Sequence, residues 1–141
     1  SEEEAFAAAE ATYRAYVDAL NQVDLSDPAT FEPVYAYLSG EALDGSKKEL
    51  TSLHAESLVK KGITKVRKVE SISADLEDSV VTLDVCLDVS DVDVVDSSGN
   101  SVVPSNRNDF QLLEVSLAPR PSPSGTLAVN RSSAIGDQPC G

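Results

Sequence analysis

The sequence has few of the groups from which enzyme sites are commonly built. It contains one histidine, His54, so a zinc site made of several histidines is excluded. Its two cysteines, Cys86 and Cys140, lie far apart and neither belongs to a CxxC motif. No catalytic or ligand-binding motif is present. The residue pattern therefore predicts no metal site, no cofactor and no catalytic residue.

Cations and long apolar runs are also scarce. The chain carries 11 Lys+Arg against 24 Asp+Glu, a net charge of -13 that repels phosphate backbones, so nucleic acid is not expected as a partner. No run of about 18 apolar residues predicts a transmembrane helix, and no basic-then-apolar start marks a signal peptide. Because the chain begins at Ser1 and contains no methionine, we expect translation to start upstream, which leaves room for a removed signal or anchor segment.

The length of 141 residues is typical of one domain, so we predict a single domain over residues 1–141. Its clearest feature is residues 79–95, where apolar and polar residues alternate with the period of a β-strand. One face of this central strand carries Val81, Leu83, Val85, Leu87 and Val89. The other face is more polar and includes Cys86. Such a pattern is typical of an antiparallel strand with one face open.

Helical patterns occupy the first part of the chain. The first helix starts with a capping box between Ser1 and Glu4 and extends to about Asn21. A second, short helix follows, and the third is predicted to end at Lys61 with Gly62 as its C-cap. Three helices therefore precede the first strand.

The period changes to two for the rest of the chain. The four predicted long strands cover residues 63–76, 79–95, 110–117 and 126–133. Val66 and Val69 are three residues apart, so they can share a face only if a β-bulge lies between them. Ile72 is expected opposite Leu83 in the first hairpin. Because helices and strands are segregated, the fold class is α+β, with three N-terminal helices packed on a bent, four-stranded antiparallel sheet.

The two cysteines admit two interpretations. They are free thiols of a cytosolic protein or one disulfide of an extracytoplasmic protein. We favour a Cys86–Cys140 disulfide, because a cysteine on the open face of a strand is a poor place for an inert thiol and a chain terminus is otherwise loose.

Three segments give the chain a resemblance to the NTF2-like (cystatin-like cone) superfamily, in particular to its small secreted or lipoprotein-type actinobacterial members of unknown function. They are AEATYRAYVDALNQVD in the first helix, VVTLDVCLDVSDVDVVDSSG in the central strand, and Cys140 after the last strand. The resemblance implies helices packed into the concave face of a bent sheet, with a pocket at the open end of the cone. It also implies a location outside the cytoplasm, by secretion or through a removed N-terminal anchor.

The expected function is that of a non-enzymatic binding or interaction module of a secreted or lipid-anchored bacterial protein, whose partner is a protein or a small molecule. The alternative is a small-molecule-binding protein or an isomerase- or dehydratase-like enzyme that uses the cone pocket. Candidate pocket-lining residues are Tyr13, Tyr16, Phe31, Tyr35 and His54, although aromatic residues at helical spacing are more often core.

Charged clusters have simpler interpretations. Asp91 and Asp93 could start a calcium site, but their spacing does not match an EF-hand loop, and a solvated strand face is the favoured interpretation. A basic cluster, formed by Lys60, Lys61, Lys65, Arg67 and Lys68, should lie beside the acidic central strand and pair with it, and an anion site is the less favoured alternative. Outward carboxylates at Asp84 and Asp88 would repel their symmetry mates, so we favour a monomer over a homodimer.

Overall fold

The computed structural model describes residues 1–121, 125–136 and 140. Three helices come first: α1 (Glu2–Asn21), α2 (Glu32–Tyr35), preceded by a 3-10 turn at Pro28–Phe31, and α3 (Gly40–Ala55). The strands in the described part of the chain are β1 (Val59–Lys61), β2 (Lys65–Asp75), β3 (Val80–Asp88), β4 (Asp93–Val95), β5 (Phe110–Pro119) and β6 (Leu127–Ala134).

The start of α1 is stabilised as its sequence indicates. The Glu4 backbone N–H donates to the Ser1 hydroxyl at 3.3 Å, and the Glu4 side chain completes the capping box. Ala9, Tyr13 and Val17 follow at four-residue spacing and are buried. One side of α1 therefore packs into the core.

The predicted end of the third helix at Lys61 is wrong. Helix α3 ends at Ala55, and Ser57 then adopts a positive φ of 57°. This turn lets Leu58 return its side chain to the core, and the chain continues as β1, beginning with the strand-favouring Val59. Gly62 is consequently not a helix cap but follows a short strand.

The α+β class is confirmed, with a four-stranded antiparallel sheet in the order β2-β3-β5-β6. Strands β1 and β4 form a separate two-stranded antiparallel sheet. The predicted bulge in β2 is confirmed, because the register shifts between Val66 and Lys68. A second shift between Ser71 and Ser73 was not predicted. It places Ile72 in a bulge, so Ser71 and not Ile72 lies opposite Leu83.

Alternation in β3 separates the core from the open face of the sheet. All five residues predicted to face the core are buried. They pack with the inward side of α1 and with residues of α2 and β5 in one hydrophobic cluster. On the opposite face the residues of β3 are half-buried, except for Cys86, which is only 3% exposed. The single strand predicted over residues 79–95 is wrong in its length, because β3 ends at Asp88, just before Val89, and residues 93–95 form β4 in the other sheet.

The Cys86–Cys140 disulfide is confirmed, with the two Cα atoms 5.9 Å apart. It explains why Cys86 is buried on an otherwise open face. The bridge spans 54 residues of chain. Closing a loop of this length corresponds to about 4 kcal/mol in the chain-entropy model. It fastens the end of the chain to the middle of the sheet.

The segment between α2 and α3 is attached to the edge of the sheet at β6. The Ser39 N–H donates to the Val129 carbonyl at 2.9 Å, and the Val129 N–H donates to the Tyr37 carbonyl at 2.8 Å. Leu38 thereby forms a parallel bridge with Val129. These bonds fix the start of α3 beside β6.

Candidate functional site

A cavity of about 370 Å³ lies between α1, α3 and β6, and we call it the α1–α3 cavity. Its volume is near the small end of the range of roughly 300–1,000 Å³ typical of small-molecule sites. Apolar lining comes from Leu20, Leu38, Ala42, Leu50 and Val129. Polar lining comes from Tyr16, Glu41, Ser46, Glu49 and Ser132, and Gly45 completes the wall.

Helix geometry explains which residues of α3 reach the cavity. Glu41, Gly45 and Glu49 are spaced four residues apart and therefore lie on one side of the helix. A neighbouring row, also at four-residue spacing, brings Ser46 and the buried Leu50 to the same cavity. The backbone bonds between Ser39 and β6 hold these two rows against the sheet edge.

Gly45 contributes space to the cavity wall. It lies within α3, where glycine costs about 1 kcal/mol relative to alanine. A Cβ atom at this position would have no heavy atom within 4 Å, so packing does not require a glycine there. Gly45 is exposed, and a side chain at this point of the cavity wall would start in open space.

The two carboxylates that line the cavity differ in their salt-bridge partners. Glu41 has a partner in Arg131, at 3.8 Å between Oε2 and Nε, although both side chains are largely exposed. Within the described chain, Glu49 forms no salt bridge. Burial, together with the nearby Glu49 carboxylate, raises the pKa of Tyr16 to about 12. Tyr16 is therefore a neutral phenol at physiological pH, beside the Glu49 carboxylate, which has no salt-bridge partner among the described residues.

The five aromatic and histidine candidates do not line a single cavity. Tyr16 lines the α1–α3 cavity, whereas Phe31, Tyr35 and His54 line a second hollow of about 410 Å³ beside the 3-10 turn. Tyr13 is 1% exposed and belongs to the core, with its ring 5.6 Å from that of Tyr16. Burial, followed by the neighbouring Tyr16, raises the pKa of the Tyr13 hydroxyl.

His54 has a structural hydrogen bond. Its Nδ1 lies 2.6 Å from the backbone carbonyl of Leu25, and a carbonyl oxygen can only accept. Nδ1 therefore carries a hydrogen atom and donates a hydrogen bond to this carbonyl. The bond joins α3 to the segment after α1. The ring also meets Phe31 edge-on at 6.4 Å between centroids. The partner of Nδ1 is thus a carbonyl and not the carboxylate that a catalytic relay would use.

Tyr35 lies at the edge of the second hollow. The Lys47 ammonium is 5.6 Å from the centre of its ring, a cation–π distance. Partial burial, then the Glu32 carboxylate, raise the pKa of Tyr35, while a hydrogen bond with Thr51 opposes them. Tyr35 thus makes its contacts with neighbouring side chains of the same protein.

A groove of about 560 Å³ lies on the open face of the sheet, next to the disulfide. Its lining residues are Arg67, Lys68, Glu70, Asp84, Cys86, Leu112 and Cys140. As predicted, basic residues of β2 lie beside the acidic strand β3, with Lys65 opposite Asp88. Lys68 pairs with Glu70 at 3.3 Å, and Arg67 stacks over Phe110 at 4.9 Å from its centroid.

The two aspartates considered for calcium bind backbone and hydroxyl groups. Asp91 accepts from the Ile63 N–H at 3.1 Å, and Asp93 accepts from the Val94 N–H and the Ser101 hydroxyl at 2.8 and 2.6 Å. In the part of the chain that the structure describes, no group of three or more His, Cys, Asp or Glu side chains is arranged to hold a metal ion.

Sequence reasoning found one lining residue of the α1–α3 cavity, Tyr16, and missed the side contributed by α3. A signal for it was present, because Glu41, Gly45 and Glu49 are equally spaced and the glycine lies inside a helical pattern. An internal helix glycine indicates a packing or functional reason when no kink or cap accounts for it.

Comparison with known proteins gives no family assignment: no protein-family model matches the sequence, and no match was found among curated proteins. Among the described residues, no helix combines the length and the apolar character needed to cross a bilayer. The candidate site therefore rests on its own geometry.

Proposed function

We propose that this chain is an extracytoplasmic, NTF2-like binding domain that holds a ligand in the α1–α3 cavity without transforming it. The observation that carries the proposal is a cavity of about 370 Å³ that combines apolar residues with a few polar side chains, and at whose wall the helix residue Gly45 borders open space. Small-molecule sites commonly consist of such an apolar surface with a few polar groups at its edge.

The NTF2-like assignment is supported by the order of elements and by the two bulges of β2. Helices precede an antiparallel sheet, and α1 packs against strands β2, β3 and β6. Bulges bend a strand, as a cone-shaped sheet requires. A crystal structure with a flat sheet would contradict this assignment.

Location outside the cytoplasm is supported by the disulfide, since such bonds persist in oxidising compartments. Thiol counting on the native, non-reduced protein tests this part of the proposal. We expect no titratable thiol. Two titratable thiols would show that the disulfide is absent and would remove the support for a location outside the cytoplasm.

Binding without catalysis is favoured over the enzymatic alternative by the position of His54. It lines the second hollow and not the α1–α3 cavity, and its Nδ1 proton is committed to the Leu25 carbonyl. The two carboxylates that line the α1–α3 cavity, those of Glu41 and Glu49, are exposed to water. An isomerase or dehydratase would need a base held in a defined, shielded position.

The test uses three six-carbon probes, 1-hexanol, hexanoate and hexylammonium, in NMR titrations of the oxidised protein. At least one probe should bind, and Gly45→Leu, which places a side chain in the cavity, should weaken that binding tenfold or more. Gly45→Ala is the matched control, with a smaller effect on binding.

Both glycine substitutions should keep the fold intact, because both raise helix propensity and the added Cβ meets open space. Gly45→Ala should increase the free energy of unfolding by about 1 kcal/mol. If no probe binds, or if Gly45→Leu binds as well as the unsubstituted protein, the α1–α3 cavity is not the binding site.

A further inference from the structure

The α1–α3 cavity has the charge distribution of a site for a cation. Its lining residues include two carboxylates, from Glu41 and Glu49, and none of its described lining residues is a lysine or arginine. The two carboxylates are not equivalent, because Arg131 lies within salt-bridge distance of Glu41 alone. Glu49 is therefore the carboxylate available to a bound cation.

The neutral polar residues that line the cavity suit an ammonium group. Tyr16 stays protonated at physiological pH, so it presents a hydroxyl oxygen and an aromatic ring and no competing charge. Ser46 and Ser132 add two further hydroxyl acceptors to the polar lining. An ammonium N–H can donate to each of these oxygens.

The floor of the cavity requires an apolar body on the same ligand. Of the apolar lining, Leu20 and Ala42 are partly exposed, whereas Leu38, Leu50 and Val129 are buried in the core. An inorganic cation would leave the exposed apolar area uncovered. A cavity of about 370 Å³ accommodates a molecule of modest size. Cations are also concentrated near the protein by its net charge of -13.

From this arrangement we propose that the α1–α3 cavity binds an organic ammonium ion, with its alkyl or aryl body over the apolar lining at Leu20 and Ala42 and its charged nitrogen at Glu49. This inference rests on the proposed function, because it names the ligand class of the same cavity.

The experiment compares the three matched probes by NMR titration at fixed ionic strength. Hexylammonium should bind about tenfold or more tightly than 1-hexanol, and hexanoate should bind least. Glu49→Gln should reduce the affinity for hexylammonium to near that of 1-hexanol and leave 1-hexanol unchanged. Glu56→Gln removes the same charge just beyond the end of α3, at an exposed residue that does not line the cavity, and should have little effect.

Each outcome decides between the inference and the proposed function. Equal binding of 1-hexanol and hexylammonium, both lost in Gly45→Leu, overturns the ammonium class and keeps the cavity as a binding site. Hexylammonium binding that persists in Gly45→Leu shows attraction to another acidic surface and overturns the inference. Absence of binding by all three probes overturns both.

Discussion

Gly62 occupies a position that a larger residue could not take without moving the backbone. Its φ is +80°, and an added Cβ would collide with the carbonyl group of Asp91. The adjacent Ile63 N–H donates to the Asp91 side chain at 3.1 Å, so the two segments are held close together. Gly62 therefore lets the segment after β1 approach the loop before β4.

Gly62→Ala should destabilise the protein more than Gly99→Ala. Gly99 has a similar φ of +85°, but an added Cβ would meet open space. Gly99→Ala should therefore cost only the backbone strain, about 1–2 kcal/mol. Gly62→Ala should cost that amount and roughly 1–3 kcal/mol more, because the clash adds an overpacking cost.

Urea denaturation of the two variants measures this difference. Equal losses in the free energy of unfolding would contradict the close approach between Gly62 and Asp91. Such an approach is not predictable from the sequence, where Gly62 has the pattern of a helix C-cap. The pairing of β1 with β4 joins residues that are distant in the chain, and local patterns do not specify it.

Strand β3 carries two carboxylates whose surroundings shift their pKa values in opposite directions. Partial burial, then Glu114 and Glu70 on the neighbouring strands, raise the pKa of Asp84. Hydrogen bonds from Ser90, reinforced by Lys65 and Arg67, lower the pKa of Asp88. Relative to an ordinary aspartate, the surroundings of Asp84 thus disfavour its charged form and those of Asp88 favour it.

The signs of these shifts predict opposite effects of neutralisation. Ionised Asp84 costs stability above its folded-state pKa, and that cost disappears as the pH falls below the unfolded value. Ionised Asp88 contributes stability above its unfolded pKa, and this contribution is lost as the pH falls through the folded value. At about pH 7, Asp84→Asn should raise the free energy of unfolding and Asp88→Asn should lower it.

Denaturant titrations at about pH 7 and about pH 3, below the ordinary pKa of aspartate, test both signs. The advantage of Asp84→Asn should shrink toward zero at the lower pH. If Asp84→Asn destabilises at neutral pH, or if both variants shift stability in the same direction, the electrostatic description of β3 is wrong.

The type of the long elements and the inward face of β3 were predictable because side-chain periodicity determines them, whereas the short strand β1 was predicted as the end of a helix. The capping box of α1, the first bulge of β2 and the core face of β3 all follow from local spacing. The second bulge was not predictable, because Ile72 continues the strand pattern and nothing in the local sequence marks a register shift. This second bulge leaves the Ile72 side chain at the surface, where it is 49% exposed.

At the scale of the whole molecule, the Cys86–Cys140 disulfide joins the end of the chain to the open face of the sheet. It was predictable because the chain has only two cysteines and one lies on an otherwise polar strand face. The groove beside it was not predictable, because it depends on the neighbouring strands, including the bulged strand β2, and on the attached terminus.

The α1–α3 cavity also belongs to the whole molecule. Periodicity identifies an apolar side on each helix, but the space between α1, α3 and β6 depends on their relative positions. These positions depend in part on the backbone bonds between Ser39, Tyr37 and Val129, which carry no side-chain signature. Sequence reasoning consequently identified Tyr16 as a candidate and did not identify Gly45 or Glu49.

The most direct test of the central claim is a crystal structure of the oxidised protein soaked with 1-hexanol and, separately, with hexylammonium. We predict density for a six-carbon chain over Leu20 and Ala42, with the nitrogen of hexylammonium at Glu49. A cavity closed by Tyr16 or by the side chains of α3, or probes bound only on the open face of the sheet, would contradict the claim.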